Sequence, residues 1–183
     1  MVKEPRPGRV KTRLARDIGS VQAAWWFRHQ STSLIRRLSG DRRWQTLLAV
    51  APDAEGLTSR NWPTSLPRIA QGRGDLGARM GRVFNRSGPG PTVIIGADIP
   101  GIRRAHIASA FTALGGHDAV FGPAFDGGYW LVGLKRPSPK PRHMFQGVRW
   151  STEHTLADTR ASLPDMRIAL IACLHDVDTA ADL

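Results

Sequence analysis

Thr92-Val93-Ile94-Ile95-Gly96 sets apolar side chains at consecutive positions. Successive side chains of a strand point to opposite faces, so a run of this kind needs cover on both sides. That is the situation of a parallel strand inside an α/β sheet. Other short apolar runs share the habit: residues 46–51, stopped by Pro52; 66–70; 118–123, closing in a turn; and 168–174. Segments of helical period lie between them. Leu14, Ile18, Val21, Trp25, Leu34, Ile35 and Leu38 predict helix over 11–38, with a break at Gly19-Ser20. Met80, Val83 and Phe84 predict another over 78–85, a third starts near Arg103, and a fourth runs to about residue 162. Ser151 or Thr152 would cap that last helix, with His154 near its start. Strands alternating with helices predict a three-layer α/β/α fold with a mostly parallel sheet.

With 183 residues, 41% of them hydrophobic and 22% charged, the chain reads as one globular domain spanning 1–183. Met1-Val2-Lys3 resembles the end of a first strand whose beginning is missing, since strands usually run to five or six residues. No apolar run approaches the roughly 20 residues that cross a bilayer, and the N-terminus lacks the apolar core of a signal peptide. The expectation is a cytoplasmic protein without a membrane partner. Cys173 is the single cysteine, so no internal disulfide can form, and its apolar surroundings predict a buried thiol. The formal charge of +11 is carried mainly by arginine and is spread along the chain. No zinc-finger spacing, aromatic RNA-binding motif or basic zipper accompanies it, so nothing supports a nucleic-acid partner. The oligomeric state has no signature.

Two stretches suggest a nucleotide. In Pro5-Arg6-Pro7-Gly8-Arg9-Val10-Lys11-Thr12-Arg13, two prolines stiffen a loop and Gly8 opens its backbone just before a helix. Lys11 and Arg13 add charge where helical N–H groups are unpaired, which suits phosphate. The spacing is not that of a Walker loop. Gln71-Gly72-Arg73-Gly74-Asp75-Leu76-Gly77 combines an amide able to read a base edge with glycines that admit a flat ligand.

Carboxylates follow at other predicted strand ends. Asp98 stands just past the run at 92–96, where ligands of open α/β sheets bind. Asp126-Gly127-Gly128-Tyr129 is either part of an acceptor pocket or an Asp-Gly hairpin turn. Asp176-Val177-Asp178 closes the chain, its aspartates sharing a face if the strand alternates. Trp25-Trp26-Phe27 is read as packing, and 137–141 as a proline-rich loop.

Taken together, these stretches resemble the nucleotide-diphospho-sugar transferase superfamily, with its glycosyltransferase-A type fold, and above all a bacterial branch labelled glycosyltransferase. The likeness runs through Lys3 to Leu14, Gly74 to Met80, Gly96 to Gly101, Gly122-Pro123 with Asp126 to Tyr129, Trp150-Ser151-Thr152 and Asp176 to Thr179. It implies a transferase that binds a nucleotide or nucleotide sugar and passes a glycosyl or nucleotidyl group to a small acceptor. It further implies that Gly8, Lys11, Thr12 and Arg13 hold phosphates, while Gln71 and Gly77 face base and ribose. Asp98 and Asp178 would bind Mg²⁺ or Mn²⁺, with Asp176 the weaker choice, and Asp126, Tyr129 and Trp150 would line the acceptor side. Lys11, Arg13 and Asp126 are the catalytic candidates, and Asp126 or His154 a possible acceptor base.

The implied chemistry divides. The Lys11-x-Arg13 loop is similar to that of phospholactate and molybdenum-cofactor guanylyltransferases, where a phosphorylated acceptor attacks a nucleoside triphosphate. A glycosyltransferase would instead use a nucleotide sugar, and a carboxylate pair is expected beside the run at 92–96, where Asp98 stands alone. A non-catalytic nucleotide-binding relative is the third reading.

Overall fold

The computed structural model describes residues 1–136 and 139–183, so Pro137 and Ser138, the start of the predicted proline-rich loop, lie outside it. The architecture is mixed α/β, with a parallel three-stranded sheet and a mixed four-stranded one. The chain packs as two compact units, neither continuous in sequence. One holds Met1–Gln71, Gly96–Arg104 and Asp176–Leu183; the other holds Gly72–Ile95 and Ala105–His175.

In the first unit, β1 (Val2–Lys3), β2 (Leu48–Ala51) and β3 (Arg68–Ala70) pair in parallel in that order. Val2 is opposite Val50, and Leu48 opposite Arg68. All four residues of β2 are buried, as a strand hydrogen-bonded on both edges and covered on both faces requires. The helical segment predicted over 11–38 is two helices, α1 (Leu14–Ile18) and α2 (Ser20–Ser39), separated by Gly19 as its position suggested. Helix α2 buries Ala23, Ala24, Phe27, Leu34, Ile35 and Leu38 on one stripe, together with Ser31. Of the aromatic triplet, Phe27 is buried and Trp26 packs against the core, whereas Trp25 is exposed and lies tilted against the His29 ring, one turn along. A short α3 (Asp53–Thr58) leads from β2 toward β3.

The second unit begins with α4 (Leu76–Arg86), longer than predicted because Asp75 caps it and accepts a hydrogen bond from Ala78 N at 2.7 Å. Then come β4 (Thr92–Ile95), α5 (Arg104–Gly116, whose first residue belongs to the first unit), β5 (Ala119–Pro123), β6 (Tyr129–Leu134), α6 (Thr155–Ala161) and β7 (Ile168–Leu170). Strand order is β4-β6-β5-β7. Strand β6 runs antiparallel to both β4 and β5, while β5 and β7 are parallel. The run at 92–96 therefore pairs antiparallel with β6. Apolar patterning reports the cover on a strand's faces and leaves the direction of its neighbour open. Helix α6 has its N-cap at His154, not at the predicted Ser151 or Thr152, and the Thr152 hydroxyl accepts the His154 N–H just ahead of it. The last strand is shorter than its apolar run, and Cys173, beyond its end, is exposed instead of buried.

Among the described residues no helix is long and apolar enough to cross a membrane.

Candidate functional site

The charged cluster of the first unit is assembled by its apolar neighbours. Val10 precedes Lys11 and Ala97 precedes Asp98, and Val10 and Ala97 share one buried cluster. Leu14 follows the Lys11-Thr12-Arg13 turn and Val177 precedes Asp178, and these two share another. Burying side chains of this size stabilises by about 1.5–3 kcal/mol each for valine and leucine. Packing the neighbours thus draws three chain-distant charges to one place. Lys11 Nζ lies 2.7 Å from Asp98 Oδ2 and 3.0 Å from Asp178 Oδ1. Arg13 Nη1 takes the other oxygen of Asp178 at 2.7 Å. The Lys11 side chain is 6% exposed, against about a third for each aspartate (32% and 30%) and 58% for Arg13.

Electrostatics follow from that geometry. Burial would lower the Lys11 ammonium, but Asp98 and then Asp178 outweigh it, and its pKa lies above the ordinary lysine value. Burial would raise Asp178, but hydrogen bonds and charge from Lys11 and Arg13 hold its carboxyl below the usual range. Lys11 also sits at φ +45°, in the left-handed region that non-glycine residues seldom occupy.

Both aspartate segments are pinned. Ser31, wholly buried, donates its hydroxyl to Ala97 O at 3.2 Å, and Arg37 Nη1 donates to Pro100 O and Ile102 O at 2.9 and 2.6 Å. The segment bearing Asp98 is therefore held by α2 on both sides of the carboxylate. After Asp178, a 3₁₀ turn (Ala180–Asp182) is closed by a capping box between Thr179 and Asp182. Asp182 Oδ2 accepts the N–H of Asp178, and Asp17 of α1 accepts that of Ala180. Asp178, not the half-buried Asp176, is the member of the pair that reaches Lys11.

Gly8 and Thr12, the other phosphate candidates, are exposed in the turns before α1, Gly8 at φ +73°. Gln71 has a structural use that its sequence did not suggest. It is 4% exposed, and Nε2 donates to Val2 O and Ala49 O at 2.9 and 2.8 Å, tying β1 to β2. Both its N–H groups are committed to the sheet, which removes them from reading a base.

The second unit holds the remaining candidates. Gly77 does not open onto ligand space: a Cβ there would lie 2.6 Å from the Trp150 ring and 2.8 Å from Phe145 Cβ, so the glycine lets α4 lie against those aromatics. Trp150 is half-buried and also faces the Phe145 ring at 5.9 Å. Asp126 is exposed and its Oδ1 accepts the Gly128 N–H at 2.8 Å, the hairpin-turn alternative, though its Oδ2 makes no hydrogen bond among the described residues. Tyr129 lies edge-on to Phe121 at 5.3 Å. Its hydroxyl is buried, with no partner in hydrogen-bonding geometry among the described residues. Burial pushes the phenol well above its ordinary value, and Thr159 pulls weakly the other way. His154 is exposed and 3.6 Å from Glu153.

A serine and an asparagine donor around a buried acid also went unforeseen: Glu4 is 7% exposed, and its Oε1 accepts from Ser59 Oγ at 2.8 Å and from Asn61 Nδ2. Ser31 left a readable sign, a hydroxyl in an apolar helical stripe that had to find a partner. Arg37 and Glu4 left none.

The Asp98 and Asp178 pair fits a hard divalent cation. Two carboxylate oxygens converge on one nitrogen within 3.0 Å. No group of three or more His, Cys, Asp or Glu residues suited to a metal occurs among the described residues. Mg²⁺ is commonly held by only one or two carboxylates, with phosphate and water oxygens completing its shell.

A family model described as "Uncharacterized protein conserved in bacteria (DUF2064)" matches residues 34–152. A crystal structure from Desulfovibrio desulfuricans G20, described as a "putative nucleotide-diphospho-sugar transferase", is 30% identical. It superposes with a TM-score of 0.80 over 97% of this chain and 80% of that one. No curated protein matches the chain.

Proposed function

The chain belongs to the DUF2064 family and has the fold of the nucleotide-diphospho-sugar transferase superfamily, and from that premise we propose that it is a metal-dependent nucleotidyl- or glycosyl-transferring enzyme. The observation that carries the reading is the Lys11–Asp98–Asp178 cluster, where a basic loop meets two carboxylates. Lys11 and Arg13 hold the nucleotide's phosphates and offset the charge that builds on their oxygens during transfer. Asp98 and Asp178 hold Mg²⁺ or Mn²⁺, which when bound supplies Lewis-acid stabilisation of the phosphate oxygens and the departing group. Gly8 and Thr12 lie on the same loop and complete the phosphate cradle with backbone N–H groups. Asp126, exposed and with one oxygen outside its turn, is assigned to the small-molecule acceptor, as are Tyr129 and Trp150.

Of the two reactions, nucleotidyl transfer is the better supported. The second carboxylate comes from the chain's last segment instead of standing next to Asp98, and two cations flank it, an arrangement suited to a triphosphate. The second reading, glycosyl transfer, is favoured by the description of the Desulfovibrio protein. A thermal-shift panel of nucleoside triphosphates and nucleotide sugars, with and without Mn²⁺, separates them. A ligand at 100 times its Kd stabilises by about 2.7 kcal/mol, enough to move the transition. Metal-dependent stabilisation by a triphosphate is the expected result and names the base. Stabilisation by nucleotide sugars alone would favour glycosyl transfer, and none by either class would contradict both.

A further inference from the structure

Lys11 does more here than wait for phosphate. Its ammonium lies at the point on which both carboxylates converge, 2.7 Å from one and 3.0 Å from the other, with the side chain almost wholly buried. Arg13 engages the remaining oxygen of Asp178, so both oxygens of that residue already face a cation. A divalent ion bound by both aspartates would have to take an oxygen of Asp178 from one of these cations and would lie beside the Lys11 ammonium. A divalent ion and the ammonium held on the same carboxylates repel one another at close range, which weakens the binding of each. The uncommon backbone conformation at Lys11 is consistent with a side chain directed to a specific task.

We propose that Lys11 is the resident counter-cation of the Asp98/Asp178 pair, that it and a divalent metal exclude one another there, and that nucleotide phosphates admit the metal by drawing Lys11 away. This rests on the assignment of those aspartates as metal ligands. The nucleotide-free site is thereby kept neutralised and closed to free metal ions. Metal and nucleotide enter together, each favouring the other, because coupling between ligands is reciprocal. A lysine that only contacted phosphate would leave metal affinity unchanged when nucleotide is absent.

The test measures Mn²⁺ binding to nucleotide-free protein from the electron paramagnetic resonance signal of free Mn²⁺. Lys11→Gln is expected to bind Mn²⁺ at least tenfold more tightly than the wild type, and adding Asp98→Asn is expected to erase the gain. Arg9→Gln removes a charge from the same loop without touching either carboxylate, and is expected to change affinity less than twofold. Lys11→Arg keeps the charge and guards against a Gln variant that does not fold; it is expected to bind no better than the wild type. Unchanged affinity in folded Lys11→Gln would overturn the exchange, as would an equal gain in Arg9→Gln or any gain in Lys11→Arg. If the wild type still bound Mn²⁺ in the presence of ADP, GDP, UDP or CDP, the aspartate assignment would survive that failure. If neither wild type nor Lys11→Gln bound Mn²⁺ with or without those diphosphates, assignment and exchange would fall together.

Discussion

The cluster around Lys11 and the hairpin around Asp126 both set carboxylates beside glycine-bearing loops, yet they use them in opposite ways. Asp98 and Asp178 direct their oxygens to side chains distant in sequence. Asp126 directs one oxygen to a backbone N–H two residues away. In the first case the backbone is satisfied by other groups, by Ser31, Arg37, Asp17 and Asp182, which leaves the carboxylates for charged partners. In the second the carboxylate is itself the turn's support. An aspartate is available for chemistry to the degree that something else holds its loop.

Substitutions can break this contrast, and the largest effect is expected at the hairpin. Gly127 has φ +83°, and a side chain there would run into the Glu153 backbone, which cannot yield as a flexible side chain would. Gly127→Val should destabilise the fold by about 3 kcal/mol or more, combining backbone strain with overpacking. Urea denaturation would show it as a lower midpoint at constant slope. Lys11→Ala should instead weaken nucleotide binding by about 1.5–3 kcal/mol, the range of a charge-assisted hydrogen bond, as read by calorimetric titration.

A smaller effect is expected from loosening what holds Asp98. Arg37→Gln gives up two hydrogen bonds to the Pro100 and Ile102 carbonyls and should cost about 1–2 kcal/mol of stability. It should also weaken Mn²⁺-dependent nucleotide binding while leaving metal-free binding near its wild-type value. Asp126→Ala should have the smallest effect, about 0.5–1 kcal/mol in urea denaturation, with nucleotide affinity unchanged. A loss of nucleotide affinity there would erase the distinction between the two carboxylate settings.

The elements were legible wherever apolar periodicity was strong. The break at Gly19, the Leu34, Ile35 and Leu38 end of the α2 stripe and the strand at 48–51 stand where the pattern put them. Val21 and Trp25, by contrast, are exposed, and Ala23, Ala24 and Phe27 take the buried face near the helix start. Strand direction was not legible, because β6 turns back through a hairpin that patterning does not orient. Nor was the end of β7, since Ala172 and Cys173 continue an apolar run beyond the paired residues. In the site, the nearness of Lys11, Arg13, Asp98 and Asp178 followed from reading strand ends and from the family resemblance. The roles of Gln71 and Gly77 did not, because an amide near a glycine loop looks alike whether it meets a base or a carbonyl. Their structural uses depend on neighbours, Val2 and Ala49 for one and Trp150 for the other, that only the folded chain brings near.

The central claim is that the aspartates facing Lys11 hold the metal that accompanies the nucleotide. Calorimetric titration of the triphosphate chosen by the thermal-shift panel, with and without Mn²⁺, into wild type and Asp98→Asn tests it most directly. The substitution removes a charge and keeps the side chain's size. The account expects Mn²⁺ to tighten binding to the wild type at least tenfold and to leave Asp98→Asn unaffected, with both proteins equally folded by circular dichroism. An undiminished Mn²⁺ effect in Asp98→Asn would contradict it.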